Sequence, residues 1–358
     1  MHNQRLINWE QFSSLSLEKR IDFFFDRSKN FGALYSQQFS RDFLDKLYLL
    51  TNKTRLIAKT KEGKHWLMRL LSHHRAMLYF IQPSTRTFLS FSAACEILGI
   101  RCTDVRSVET SSEIKGEAFE DTIRTFSSYF DLVIIRHPQP GYAEKAAFVL
   151  QSSRRPIPLI NAGSSDDQHP TQALLDIFTL RKSFSNAGGL EGKTIMMVGD
   201  LKRGRTVRSL CYLLSLFRDV NIIFASPQSF QMKDDIKIFL KKKNVSFLES
   251  DDMVKHLKKV DAIYMTRIQD EYDNKKSPSL KPPPSGDEFK NFKLRKEHLK
   301  LLKPESVILH PLPRRDEIEK SIDNDPRAVY WRQVRNGMWT RSALISILFN
   351  VSKKIIER

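Results

Sequence analysis

Four consecutive residues, Ser84-Thr85-Arg86-Thr87, combine three hydroxyls with a guanidinium. These are the groups a phosphate needs: hydrogen-bond donors and a fixed positive charge. Ahead of them the apolar run 76–81 reads as a strand and Pro83 as a turn. Phe88, Leu89, Phe91, Ala94, Cys95 and Leu98 then recur at helical spacing up to Gly99. The four residues therefore fall where a strand feeds a helix N-terminus, whose unpaired N–H groups and positive dipole end attract anions. Ser84 could serve merely as the helix cap. Capping does not call for Arg86, a first-turn cation that opposes the dipole, whereas an anionic ligand does.

Further polar clusters close other strand-like runs, the place where open α/β sheets put their ligands. Arg136-His137-Pro138 follows the run 131–136. The run 157–161 leads into a stretch ending His169-Pro170-Thr171-Gln172, where Pro170 suits a first helical position and so places His169 and Gln172 at a helix mouth. A lone histidine is usually a packed or surface residue; its place at this mouth argues for a ligand. In the second half, Asp200 to Thr206 and Thr266-Arg267-Ile268-Gln269 follow strand-like runs, and a last run enters His310-Pro311-Leu312-Pro313-Arg314. Arg86, Arg136, Arg205 and Arg267 each close a predicted strand. Singly they read as surface arginines; converging on one cleft, they would recognise a ligand with several negative groups. The chain has no H-E-x-x-H, no P-loop and no Ser-His-Asp order, and Gly199 with Gly204 only weakly resembles a dinucleotide turn. The chemistry implied is polarisation and charge neutralisation, with no metal and no organic cofactor.

These residues need a scaffold of alternating strands and helices. Apolar runs at 76–81, 131–136 and 157–161, separated by helical patterns, predict a parallel α/β sheet, and Asn186 to Gly189 breaks the pattern. Runs at 193–198, 220–225, 261–266 and 306–310 predict a second unit, Rossmann-like in its alternation. The fold class is thus α/β in two domains, each a mostly parallel sheet flanked by helices. The domains are read as 40–185 and 190–339, with a C-terminal helix 340–358 returning to the first and residues 1–39 a basic, aromatic-containing extension. Segment 274–290, rich in Pro and Lys, reads as a long exposed loop.

The length, 358 residues, suits two domains that each bury a core. No 18-residue apolar run predicts a membrane span. The polar start and three cysteines without pairing or zinc spacing point to a reducing cytoplasm. The net charge of +18 raises the question of nucleic acid. The lysines are dispersed over helical patterns and no nucleic-acid motif is present, so solvated basic faces are the reading, with steering of small anions as a consequence.

Taken in order, these segments resemble the aspartate/ornithine carbamoyltransferase family from about Ser40 to Ile356. Pro83-Ser84-Thr85-Arg86-Thr87 and His169-Pro170-Thr171-Gln172 mark the family. Tyr264 to Gln269, His310 to Arg314, and Val198 to Lys202 with Gly204-Arg205-Thr206 look like its aspartate-type members. The Ser-Met-Gly loop and His-Cys-Leu-Pro segment of the ornithine type are absent. The activity implied is transfer of a carbamoyl group from carbamoyl phosphate to L-aspartate, giving N-carbamoyl-L-aspartate and phosphate, an early committed step of pyrimidine biosynthesis.

The resemblance also implies roles. Ser84, Thr85, Arg86 and Thr87 hold the phosphate; Arg136, His169 and Thr87 point at the carbonyl oxygen; Gln172 holds the carbamoyl nitrogen. Arg205, Arg267 and Gln269 receive the two carboxylates of aspartate, and backbone groups at Pro311 and Leu312 contact the carbamoyl amide and the attacking amine. Ser111 and Lys115 match a loop lent by a neighbouring subunit, which implies a homotrimer; nothing is implied about regulatory chains. Two positions depart from the family: Gln82 stands where members often carry Glu, and Tyr272 where they carry Arg. An interdomain ion pair of the closed state is thereby missing from both sides. The rival readings are another amine acceptor, such as ornithine or an acylated ornithine, an inactive relative acting as an assembly or regulatory partner, and nucleic-acid binding.

Overall fold

The computed structural model describes residues 7–27, 32–107, 116–164, 168–267 and 287–358. Ser111, Lys115, Gln269 and Tyr272, and most of the loop 274–290, lie outside the described residues. Contacts divide the chain into residues 1–171 with 338–358, and residues 172–337.

The first unit holds a parallel sheet of β1 (Gly32–Ala33), β2 (Arg75–Phe80), β3 (Arg101–Val105), β4 (Leu132–His137) and β5 (Leu159–Ser164), in the order β1-β5-β4-β2-β3. The central strands are buried nearly end to end; their first halves read as apolar runs in the sequence, and their C-terminal ends carry buried polar residues such as Arg136, His137, Asn161 and Ser164. β3 is an exposed edge strand of sequence Arg-Cys-Thr-Asp-Val, without the apolar run that would announce it. Winding reverses between β2 and β4: the chain passes from β2 to β3 on one side, then to β4 and β5 on the other.

The N-terminal extension is built into this unit. Asn8 caps a short helix, Trp9–Ser13, through a capping box with Gln11, and a second helix, Leu17–Arg27, follows. Trp9, Phe12, Phe23 and Phe24 gather around Phe148, with ring centroids 4.9–5.7 Å apart in tilted, stacked and edge-to-face pairs. Arg20 donates twice to Glu144, at 2.6 and 2.8 Å, and the Tyr35 hydroxyl donates to the same carboxylate. β1 then joins the sheet edge, where Gly32 lies so close to β5 that a Cβ would meet the Leu159 carbonyl oxygen at 2.0 Å. Only glycine fits there.

The second unit has a parallel sheet of β6 (Thr194–Val198), β7 (Asn221–Ala225), β8 (Ser246–Ser250), β9 (Ala262–Met265) and β10 (Val307–Leu309), in the order β10-β9-β6-β7-β8. This is a doubly wound order, with its reversal between β6 and β9. β8, Ser-Phe-Leu-Glu-Ser, is again a half-exposed edge with no apolar run. Gly199 directly follows β6; its φ of +114° suits glycine and its missing side chain admits Thr266, since a Cβ would meet the Thr266 carbonyl oxygen at 2.3 Å.

Because Phe12 is fully buried in the aromatic cluster, Phe12→Ala should destabilise the first unit by about 3–5 kcal/mol. The exposed Leu49→Ala should cost no more than about 0.5 kcal/mol. Urea unfolding midpoints measure both, and equal shifts would show the extension to be peripheral.

Candidate active site

In the first unit the Ser-Thr-Arg-Thr segment does start a helix, Thr85–Ile97, with Ser84 at the N-cap position. The Ser84 hydroxyl makes no capping bond; it donates instead to the Thr87 hydroxyl at 3.0 Å. Thr85 and Arg86 are exposed, while Thr87 is buried. The helix mouth thus keeps its N–H groups for something other than Ser84. Across the winding reversal, Phe80 lies in register with Arg136, and the Gln82 N–H donates to the Arg136 carbonyl at 3.2 Å. Parallel pairing therefore fixes the end of β4 beside the turn that carries Ser84. The Arg136 side chain is only 7% exposed, and its guanidinium donates to the Ala162 carbonyl at 3.1 Å.

β5, next to β4, supplies the third member. Asn161 donates through Nδ2 to the Leu34 carbonyl at 3.1 Å and to Ser164 Oγ at 3.0 Å, and its own oxygen accepts from the Gly163 N–H at 2.9 Å. Gln168 bridges back to Ser164, accepts from the Ser36 N–H at 2.8 Å and donates to Gln37 at 2.8 Å. The buried His169 comes next, directly before the helix Pro170–Ser183, with Pro170 at the first helical position as the sequence predicts. Ser84 to Thr87, Arg136 and His169 thus belong to the C-terminal ends of three neighbouring strands. Asn161 and Gln168, which hold the His169 segment to residues 34–37, carry no signal in the sequence.

In the second unit the reversal gathers a comparable set. Asp200, fully buried after β6, accepts from the Arg203 backbone at 3.2 Å and from its guanidinium at 2.7 Å, closing the turn before the helix Arg205–Leu214. Arg205 opens that helix and is 9% exposed. Thr266, after β9, donates through both N and Oγ1 to the Val198 carbonyl at 2.8 and 2.9 Å, which holds the half-buried Arg267 against the end of β6.

After β10, the segment His310 to Glu317 is tied to itself. The Leu312 N–H donates to His310 Nδ1 at 2.7 Å, so the imidazole proton sits on Nε2, which donates to Glu317 Oε1 at 2.6 Å. Glu317 Oε2 accepts from the Arg315 N–H at 3.0 Å. Leu312 is held at φ +55°, an unfavourable backbone state for a branched side chain, and precedes the cis bond to Pro313. Burial pushes the His310 pKa down, against the pull of Glu317, with Arg314 and Arg267 adding to the depression. Burial raises the Glu317 carboxyl, but the bond from His310 and the backbone donors outweigh it and leave the pKa lowered. A neutral imidazole facing an ionised carboxylate follows. Arg314 is engaged elsewhere, paired with Asp323 and donating to the Tyr330 hydroxyl at 3.1 Å.

Gln172 points into a buried polar cluster. Its Nε2 donates at 2.9 Å to Oδ1 of Asp176, four residues along the same helix. Tyr264 of β9 donates to Asp176 Oδ2 at 2.7 Å, and Gln333 Nε2 donates to Oδ1 at 2.7 Å. Among the described residues, no group of three or more His, Cys, Asp or Glu side chains is placed to hold a metal ion, and no helix is long and apolar enough to cross a membrane.

Two family models match the chain: the aspartate/ornithine carbamoyltransferase carbamoyl-P binding domain over residues 33–182, and the Asp/Orn binding domain of the same family over residues 191–348. The chain belongs to the aspartate/ornithine carbamoyltransferase family. The match begins at residue 33, the second residue of β1, earlier than the Ser40 from which the motifs are legible. Within the family, the chain is 41% identical over 314 residues to aspartate carbamoyltransferase 1, chloroplastic, of Pisum sativum, covering 87% of this chain and 77% of the relative. It is 38% identical over 324 residues to the aspartate carbamoyltransferase catalytic subunit of Methanosarcina mazei, covering 90% and 98%. The catalytic subunit of M. jannaschii aspartate transcarbamoylase superposes with a TM-score of 0.77 at 34% identity, covering 90% of this chain and 99% of that one. Aspartate transcarbamoylase of Trypanosoma cruzi in complex with carbamoyl phosphate also gives 0.77, at 33% identity, covering 88% and 95%.

The depressed His310 pKa has a consequence for stability. The unfolded chain takes up this proton near its ordinary pKa of 6.5, the folded protein only at lower pH. The contribution is therefore present above pH 6.5 and is lost as pH falls below it through the folded value. His310→Asn, whose side-chain oxygen can still accept from Leu312 N–H, should show a shallower loss of thermal stability from pH 6.5 downward. Parallel slopes for the two proteins would show that His310 does not govern this limb.

Proposed function

We propose that this chain is an aspartate carbamoyltransferase, transferring the carbamoyl group of carbamoyl phosphate to L-aspartate in pyrimidine biosynthesis. The observation that carries the reading is the 38–41% identity, over most of the chain, to relatives named for that activity. The aspartate-type residues Arg205, Arg267 and His310 to Leu312, lying at the strand ends of the second unit, favour aspartate over ornithine as acceptor.

In this reading Ser84, Thr85, Arg86 and Thr87 bind the phosphate, with the helix N–H groups and Arg86 neutralising its charge. Arg136, His169 and Thr87 act on the carbonyl oxygen, and Gln172 takes the carbamoyl nitrogen. Arg205, Arg267 and Gln269 bind the aspartate carboxylates, and backbone groups of Pro311 and Leu312 take the carbamoyl amide and the amine. The neutral amine attacks the carbonyl carbon, the carbon–oxygen bond to phosphate breaks, and the amine proton leaves with the phosphate. Negative charge grows first on the carbonyl oxygen and then on the leaving group, so preorganised cations and donors stabilise the transition state more than the ground state. Holding both reactants together supplies an entropic gain that can reach about 7 kcal/mol or more.

Domain roles follow the same reading: residues 40–185 with 340–358 bind carbamoyl phosphate and 190–339 bind aspartate. We further propose a homotrimer in which Ser111 and Lys115 are lent to a neighbouring subunit's site. Three free cysteines suit a reducing compartment, and the cytoplasm is the proposed location.

A product assay with carbamoyl phosphate and either aspartate or ornithine tests the activity; carbamoyl aspartate is expected, and its absence sinks the reading. Arg86→Ala should lower kcat/KM for carbamoyl phosphate by about a hundredfold, the loss of a charge-assisted contact of about 2–3 kcal/mol or more. Mixed trimers of Arg86→Ala and Lys115→Ala chains should regain part of the activity that each lacks alone. No rescue in verified mixtures would count against a shared site.

A further inference from the structure

The proposed machinery uses Gln172, Pro311 and Leu312 but leaves unexplained the fully buried carboxylate of Asp176. Its donors include Gln172 and Gln333, which share Oδ1 at 2.9 and 2.7 Å, and Tyr264, which takes Oδ2 at 2.7 Å. Gln333 is itself buried, and its oxygen accepts from the His310 N–H at 2.9 Å. One carboxylate therefore reaches both the Gln172 amide and, through a single glutamine, the backbone that begins His310-Pro311-Leu312.

This arrangement decides which way each amide faces. A carboxylate only accepts, so the edge that Gln172 turns to Asp176 must be its NH2. Its oxygen is then the edge turned away from the carboxylate. The same logic sends the Gln333 NH2 to Asp176 and its oxygen to His310 N–H. A carbamoyl group ends in an NH2, which only donates; an inverted Gln172 would meet it donor against donor. Tyr264 cannot take over as an ionised partner, because burial and then the Asp176 charge push its pKa well up and keep its proton on the phenol.

We infer that Asp176 is a positioning residue that, by orienting Gln172 directly and the 310–312 segment through Gln333, sets the acceptors that read the carbamoyl NH2. The inference rests on the proposed function for the roles of Gln172, Pro311 and Leu312. It implies that Asp176 serves recognition of the carboxamide end of the ligand and not of its phosphate.

The test compares two probes by calorimetry on the full chain: phosphonoacetamide, a stable phosphonate ending in a carboxamide, and inorganic phosphate. Asp176→Leu, close in size but without an acceptor, should weaken phosphonoacetamide by about tenfold or more while phosphate changes by no more than about twofold. Asp176→Asn, whose remaining oxygen can serve both glutamines, should restore most of the lost affinity. Equal weakening of both probes, or of neither, overturns the inference, since a merely structural role does not discriminate between them. Should Asp176→Leu fail to fold, Gln333→Leu cuts the link to His310 and must shift the same ratio in the same direction; an unchanged ratio there overturns it as well. Failure of the wild-type chain to form carbamoyl aspartate would instead overturn the proposed function, a result distinct from the binding ratio.

Discussion

The reversal of winding in each parallel sheet is the constraint on which everything else depends. Between β2 and β4, and again between β6 and β9, neighbouring strands send their connections to opposite sides, so the following loops part and leave a crevice at the strand ends. In the first unit this puts the Ser84 helix mouth beside Arg136, through the Phe80–Arg136 register. In the second it puts Asp200 and Arg205 beside Thr266 and Arg267, with the missing side chain of Gly199 admitting Thr266. Strand ends far apart in sequence become neighbours because parallel strands align their C-terminal ends.

Those strand ends hold their geometry through support from elsewhere in the same unit. The His169 segment is fastened by Asn161 and Gln168 to residues 34–37, and that stretch follows β1, itself seated on β5 at a glycine. The two leading helices bury aromatic rings against Phe148 and anchor through Arg20, Tyr35 and Glu144. An apparently separate extension is thus continuous with the support of the site. In the second unit, Glu317 plays the corresponding part: its bond to His310 fixes the imidazole tautomer, and the tautomer in turn accepts the Leu312 N–H.

Charge is handled by two different means. Cations at helix mouths oppose the helix dipole and need an anion to settle there, which makes Arg86 and Arg205 informative about a ligand and nearly uninformative about the fold. Buried carboxylates act the other way. Asp176, Asp200 and Glu317 are enclosed in donors from their own unit, and each orients neighbouring groups; an enclosed carboxylate without such donors would be costly.

The strand-end positions of the candidate site residues and the interior strands were legible in the chain itself. Ser84 to Thr87, Arg136, His169, Arg205 and Arg267 follow or close apolar runs, and interior strands that are buried on both faces begin as such runs, so composition marked where they lie. The same logic explains what stayed hidden. β3 and β8 are exposed edges without an apolar run, β1 is two residues long, and the leading helices show their purpose only when Phe148 is beside them. Asp176, Gln333, Asn161, Gln168 and Glu317 look like ordinary polar residues in sequence. What they do depends on a partner up to 157 residues away, and only tertiary packing, which removes water from a polar group and obliges it to find that partner, gives such residues a role.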